Sequence, residues 1–372
     1  MLKVMKVALT HDYLNQYGGG ERVLETLSEI FPEAPIYTLF YDKDKTRNRF
    51  DGKVQGTSFL NNSLVANNHR FFIPLMPTAA NLMDLKSDYD LIISSSAGFG
   101  KGIGTSQWLK VKSQKLPRHI SYIHTPLRYA WESSQYFNWH PAVKLAAAPI
   151  FSYLRQWDKK AGQRPDTLLA NSHFISEKIK KYYNRESEVI YPPVDSSKFY
   201  KSDVKRGGYF LAVGRLLPYK RFDLIIEAFN RLNWPLLIVG DGPELPNLKS
   251  MVKSKKIEFY PFVDDNDLRT FYSGAEALVF PQVEDFGLVA AEAQACGCPV
   301  IAFSEGGARE IVTEGVTGVF FHKQTVEDLV VAVKRFLLTS FNEDAIQKSA
   351  EKFSKNKFKK EILKIVKSSQ IA

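Results

Sequence analysis

The sequence predicts an α/β chain built from two doubly wound, parallel-sheet domains, and three observations carry that prediction. Short apolar runs alternate with helical patterns along the whole chain, which is the rhythm of βαβ units. After residue 205 the rhythm tightens to six βα units in about 130 residues, enough for one doubly wound domain. The length of 372 residues, at 44% hydrophobic, 13% aromatic and 24% charged, leaves room for two separate cores. That composition excludes disorder as the main state, and the 22 Gly and 18 Pro follow no fixed period, so collagen-like and solenoid arrangements are excluded too.

Strands are expected in the first half over residues 4–10, 91–95, 119–124, 167–170 and 188–191. In the second half they are expected over 209–213, 235–239, 257–261, 277–280, 300–303 and 318–321, with helices between them at 222–232, 244–253, 265–273, 287–295, 308–312 and 326–338. Residues 195–208 carry serines, charges and a glycine pair without an apolar period and read as a linker. The first domain is therefore placed at 1–204 and the second at 205–350, with a lysine-rich terminal helix at 351–372. No run reaches the ~18 apolar residues of a membrane helix. The nearest, 142–154, is short and contains Lys144 and Pro149. The opening MLKVMKVALTHDY is a strand pattern without the apolar core of a signal peptide, so a cytoplasmic protein is expected.

Two cysteines, Cys296 and Cys298, exclude a disulfide framework, and with no histidine nearby they do not make a zinc site; both read as small buried residues. Charge is uneven. Residues 1–200 hold 26 Lys+Arg and 18 Asp+Glu, net +8, whereas the remainder hold 24 and 22, net +2. A basic half suits nucleic acid, anionic lipid or a phosphorylated substrate, or is simply a solubilising surface. No RNA-binding or helix-turn-helix signature supports the first, and no nucleic-acid partner is expected.

In doubly wound sheets ligands bind beyond the carboxyl ends of the strands, so chemistry is sought in the segments just after strands. Gly18, Gly19 and Gly20 follow the first strand and lead into a helix, where backbone N–H groups can meet an anion; alone, the pattern also fits a plain turn. After the strand 209–213 come Gly214, Arg215 and Lys220, two cations beside a glycine that suit a diphosphate, or a solvated basic loop. The most informative segment is FPQVEDFGLVAAEAQACGCPVIAF. It sets Glu284 before a helix opening near Gly287 and Glu292 about one turn inside it, so that the N–H groups of Phe286, Gly287 and Leu288 become helix-start donors. Carboxylates of this kind accept from sugar and ribose hydroxyls. A pair of catalytic acids, as in glycoside hydrolysis, or an ordinary capped helix with a small-residue face, are the alternatives. His124 follows the strand 119–124 in the segment ISYIHTPLRYAWESS and should face the ligand side.

These segments resemble glycosyltransferase family 4, retaining enzymes of the GT-B fold. The resemblance rests on the E-x7-E spacing of Glu284 and Glu292, on Gly18-Gly19-Gly20-Glu21, and on Gly214-Arg215 with Lys220. It extends to Asn171-Ser172, to Pro192-Pro193-Val194-Asp195, and to Cys296-Gly297, Pro299-Val300, Gly306-Gly307 and Glu310. Gly20 stands where a small non-glycine residue is common in the family. The resemblance implies two Rossmann-like domains facing across a cleft, with a terminal helix crossing back to the first. It implies roles as well. Glu284 would hold donor-sugar hydroxyls and Glu292 the ribose. Phe286, Gly287 and Leu288 would offer backbone N–H groups, with Gly18, Gly19 and Gly214 lining the donor. Arg215 and Lys220 would neutralise the departing diphosphate, the base would lie near Phe262 and Val263, and His124 would contact the donor sugar. The string His124, Thr125, Pro126, Arg128, Tyr129, Trp131 is similar to a subgroup with mannosyltransferases of O-antigens and exopolysaccharides, which implies GDP-mannose as donor.

On this resemblance the reaction keeps anomeric configuration, by a front-face displacement, without metal or cofactor, since two cations stand in for a metal and Asp264-Asp265 is not placed as a ligand pair. The implied acceptor is a saccharide or polyprenyl-diphosphate-linked saccharide, held near an anionic membrane by His69, Arg70, Phe71 and Phe72, by 110–115, and by 139–157. Residues 348–367 are the lysine-rich part of the crossing helix. A UDP-sugar donor, a nucleotide-sugar epimerase on the same fold, and a non-catalytic sugar-nucleotide-binding subunit are the competing readings. A dehydrogenase is excluded for want of GxGxxG after a strand with an acidic residue ~20 positions on.

Overall fold

The alternation of apolar runs and helices becomes two all-parallel sheets, one in each of two units. The computed structural model describes residues 5–85, 89–104, 117–132, 141–261 and 263–371. The first unit comprises Met1–Ile190 with Glu361–Ala372, and the second Tyr191–Lys360.

The first sheet holds β1 (Val7–His11), β2 (Ile36–Thr38), β3 (Val54–Thr57), β4 (Leu91–Ser96), β5 (Arg118–Ile123), β6 (Thr167–Ala170) and β7 (Glu188–Val189), ordered β3-β2-β1-β4-β5-β6-β7. β1 and β4 are buried along their whole length, as central strands covered on both faces must be. Strands β2 and β3 were not expected. They are only three and four residues long, too short to display a period. β3 also contains Gly56, normally a strand breaker. A Cβ there would come within 2.4 Å of the Tyr37 ring, so glycine admits that ring against the strand. The core of this unit is formed by Phe40, Met76, Phe99, Leu127, Leu154 and Trp157. The 21-residue helix Pro141–Ala161 is anchored at Asp158. That carboxylate pairs with Lys101 at 2.6 Å and accepts from Trp131 Nε1 at 2.7 Å and the Tyr183 hydroxyl at 2.8 Å.

The second sheet holds β8 (Tyr209–Val213), β9 (Leu236–Val239), β10 (Ile257–Tyr260), β11 (Ala275–Phe280), β12 (Val300–Phe303) and β13 (Gly318–Phe321), ordered β10-β9-β8-β11-β12-β13. All six coincide with the expected strands to within two residues at either end. Leu211, Leu278 and Ala290 pack on one face of this sheet, and Phe210, Ile226 and Val333 on the other.

The second unit begins at Tyr191, ahead of the expected boundary at 205. The cause is a main-chain clasp: Val194 N donates to Phe353 O at 2.8 Å, Lys355 N donates to Val194 O at 2.9 Å, and Lys355 Nζ reaches Asp195 at 3.2 Å. The loss of apolar period over 195–208 marks a surface loop of the second unit. The helix Lys355–Ile371 starts in the second unit, and its residues from Glu361 onward belong to the first.

Both sheets reverse direction of winding once. In the first the reversal lies between β1 and β4, and in the second between β8 and β11. At such a switch point the loops at the carboxyl ends of the two strands diverge and leave a crevice.

Candidate functional site

In the second unit, the loops that follow β8 and β11 flank the switch point, and each delivers one charge to it. After β8 the chain turns at Gly214, whose φ of +149° is open to glycine, and passes Arg215 to a short 3-10 turn, Pro218–Lys220. After β11 it passes Glu284 to the helix Leu288–Ala295. Lys220 Nζ and the Glu284 carboxylate meet in a direct ion pair, with side chains only 13% and 15% exposed. Sequence reasoning gave these residues separate tasks; the fold joins them.

The Glu284 loop is held from behind by Gly306 and Gly307. Gly307 N donates to Glu284 O at 2.8 Å. A Cβ at Gly307 would fall 2.1 Å from Phe286 O, so only glycine lets the two loops touch. Phe286 is buried against Tyr191 and Phe353 at ring distances of 5.7 and 5.2 Å. Its side chain belongs to the core, and only its backbone is available to a ligand. Gly287 caps the helix at φ +103° with no side-chain cap bond. The N–H groups of the first turn, beginning at Leu288, are the helix-start donors anticipated from the sequence. Glu292 is buried on the same helix, with the Tyr272 hydroxyl 3.5 Å from its Oε2.

Arg215 is exposed in the β8 loop, and Val263 is half-buried directly before the helix Asp265–Gly274. Phe262, named with Val263, lies outside the described residues. Asp264 caps that helix by accepting from Asn266 N and Asp267 N, and Asp265 pairs with Lys198 at 3.0 Å. Both carboxylates therefore have structural partners. A glycine pair that sequence reasoning passed over, Gly240 and Gly242, braces the β8 loop. Cβ atoms there would meet Gly214 O at 1.9 Å and Leu216 O at 2.5 Å.

In the first unit, Gly18 caps the helix Gly19–Ile30, which Gly19 opens. Gly18 N donates to Glu21 Oε2 at 2.8 Å. His124 follows β5. Its N donates to Ser96 O at 2.8 Å, and its O accepts from Asn171 Nδ2 at 3.0 Å, so both its peptide groups are fixed. Its Nε2 lies 2.8 Å from Ser95 Oγ, and Ser95 Oγ lies 3.1 Å from His11 Nδ1. Burial, together with the neighbouring His11, lowers the His124 pKa to about 3. Burial would raise the Glu21 carboxyl, but His11 and the backbone N–H donors outweigh it and hold it below its ordinary value. His11, Glu21 and the serines of β4 were missed as site residues. The available signal was the polar run Ser94-Ser95-Ser96 at the carboxyl end of an otherwise apolar central strand. Trp131 of the His124 string is tied to Asp158, and Asp12 is spent on Ala97 N, Gly100 N and Ser96 Oγ.

Among the acceptor candidates, residues 110–115 and 139–140 lie outside the described residues. Phe71 is 83% exposed. Among the described residues no helix is long and apolar enough to cross a membrane.

Comparison with known proteins follows this geometry. A family model described as Glycosyltransferase Family 4 matches residues 17–198, and one described as Glycosyl transferases group 1 matches residues 196–360. An uncharacterized glycosyltransferase of Methanocaldococcus jannaschii is 28% identical over 199 residues, 52% of this chain and 55% of that protein. The D-inositol 3-phosphate glycosyltransferase of Mycobacterium tuberculosis is 32% identical over 196 residues, 46% of this chain and 41% of that protein. The alignments thus span about half the length of the curated relatives, or less. Among solved structures, HepE of Anabaena in complex with UDP-glucose superposes with a TM-score of 0.73 at 18% identity, covering 98% of this chain and all of that one. The two sheets are thus those of the GT-B fold.

Proposed function

Because this chain belongs to glycosyltransferase family 4, we propose that it is a retaining, metal-independent glycosyltransferase that moves α-mannose from GDP-mannose to a saccharide or polyprenyl-diphosphate-linked acceptor in the synthesis of a bacterial surface polysaccharide. The observation that carries the transferase reading is the Lys220–Glu284 pair across the β8/β11 switch point, beside the N-terminus of Leu288–Ala295. A nucleoside diphosphate brings negative charge, which Lys220, Arg215 and the helix-start N–H groups would take up as it leaves. Glu284, once parted from Lys220, would accept from sugar hydroxyls, and buried Glu292 from the ribose. Val263 would lie against the base, and Gly18, Gly19 and Gly214 would let backbone approach the donor. His124 would contact the donor sugar.

In the proposed course the bond from the anomeric carbon to the diphosphate oxygen breaks as the acceptor oxygen bonds on the same face. The acceptor's proton passes to the departing diphosphate. Two observations support an acceptor at an anionic membrane face. The outward side of Pro141–Ala161 carries Leu145, Ala148, Ile150 and Tyr153, followed by the exposed Lys159 and Lys160. The first 200 residues are also net basic. A UDP-sugar donor is the second reading, favoured by the UDP-glucose bound to HepE.

Thermal unfolding with a panel of GDP- and UDP-sugars tests the donor. At a hundredfold excess over Kd, a true donor adds about 2.7 kcal/mol. Stabilisation by UDP-sugars alone would remove GDP-mannose. Binding without transfer to any lipid-linked saccharide would favour a non-catalytic subunit.

A further inference from the structure

Four polar side chains of the first unit stand in a row that no linear spacing joins: Glu21, His11, Ser95 and His124. The β1–β4 register sets His11 opposite Ser95, and His124 leaves the end of β5, the strand beside β4. The helix start at Gly20 lies beside both rings, where a Cβ would make ordinary contacts of 3.7 Å with His11 Cε1 and 3.7 Å with His124 Nε2. Glu21 Oε1 is 3.8 Å from His11 Nε2, beyond hydrogen-bond reach but within strong electrostatic range.

The proton positions follow from donor and acceptor chemistry. An ionised carboxylate only accepts, so a neutral His11 beside Glu21 carries its proton on Nε2. His11 Nδ1 is then a lone pair, and the Ser95 hydroxyl donates to it across 3.1 Å. Ser95 Oγ, its one proton committed, accepts from His124 Nε2–H across 2.8 Å. We propose that Glu21, His11 and Ser95 form a positioning relay that fixes His124 as the Nε2–H tautomer, so that its Nδ1 meets the donor sugar as a hydrogen-bond acceptor. The relay itself rests on first-unit geometry; its part in transfer rests on the proposed role of His124.

The backbone clamps on His124, from Ser96 and Asn171, leave ring rotation and tautomer as its remaining variables. The edge-on Tyr122 ring at 5.3 Å restricts the first of these, and the relay governs the second. None of its three members needs to touch substrate.

The test uses the full chain with 15N-labelled histidine, at a pH where the His11 resonances show a neutral ring. In the wild type His124 should show a protonated Nε2 and an unprotonated Nδ1. Glu21→Gln keeps an acceptor for Gly18 N, so the helix cap survives, but it removes the carboxylate charge that favours the His11 proton on Nε2. The row then loses its fixed sense, and His124 should show a mixture of Nε2–H and Nδ1–H forms. Turnover with the donor selected by the panel should fall about 10–100-fold, with KM for the donor little changed. Ser95→Ala, which removes the bridge, should give a mixture of tautomers, and Ser95→Thr should restore the wild-type pattern. An unchanged His124 pattern in both Glu21→Gln and Ser95→Ala would overturn the relay. A changed pattern with undiminished turnover would overturn its part in transfer. His124→Ala separates the two ideas: full activity there removes the role given to His124 and leaves the spectra to decide the relay.

Discussion

Glu284 and Lys220 neutralise one another in a setting that is about six-sevenths shielded from water. Removing either charge takes from the other, which is largely buried, its partner in this ion pair. Glu284→Gln and Lys220→Ala should each lower stability by about 1–3 kcal/mol and turnover by about 10²–10³-fold. Chemical denaturation and transfer kinetics check the two effects separately. Two histidines held below their ordinary range make a second prediction. His119 is held to about 3 by burial and by Arg164 and Arg185, and His124 to about 3. Both folded values lie below the unfolded 6.5, so the unfolded chain binds the extra proton first. Stability is full above 6.5 and declines as pH falls toward 3, by at most about 1.4 kcal/mol per pH unit per group. Glu21, also depressed, adds loss in the same direction at the acid end. Urea melts near neutrality and about two pH units lower should show the decline, and His119→Gln should flatten it. Burial pushes the thiols of Cys296 and Cys298 up, Cys298 to about 12, which makes them inert core residues.

At the scale of elements, the helix Leu288–Ala295 depends on its left-handed entry. Gly287→Ala would meet Phe280 Cζ at 2.9 Å and strain a φ of +103°. A loss of about 1–3 kcal/mol is expected by thermal unfolding, with weaker donor binding as the helix start shifts. This helix, its flanking carboxylates and the β8 cations were legible because each lies within one short run of sequence directly after a strong apolar strand. The row from Glu21 to His124 was not legible. It is assembled by strand register over distances of up to 113 residues, and register is a property of the folded sheet. Strands β2 and β3 escaped for a related reason. β2 pairs with β1 and β3 with β2, and their own residues, Gly56 among them, read as turn.

For the whole molecule, charge divides between the units. The first 200 residues carry net +8, and the exposed apolar residues of Pro141–Ala161 lie in the same unit, with Leu145 78% exposed. Sedimentation with phosphatidylglycerol vesicles should therefore exceed that with phosphatidylcholine and weaken with salt. Replacing Leu145, Ile150 and Tyr153 by serine should reduce it without affecting donor-induced stabilisation. Equal binding to neutral vesicles would count against the electrostatic part. The two-sheet organisation was legible from rhythm alone, whereas the boundary was not, because the clasp of Val194 on Phe353 and Lys355 joins segments about 160 residues apart. The first unit is also discontinuous, since Ile362 and Val366 are buried in it yet follow the whole second unit in the chain. A ribosome makes the earlier residues first. The seven-stranded half therefore emerges unfinished and keeps the seats of those two side chains wet until the whole second unit has been made, an interval in which nascent-chain chaperones have an apolar surface to grip.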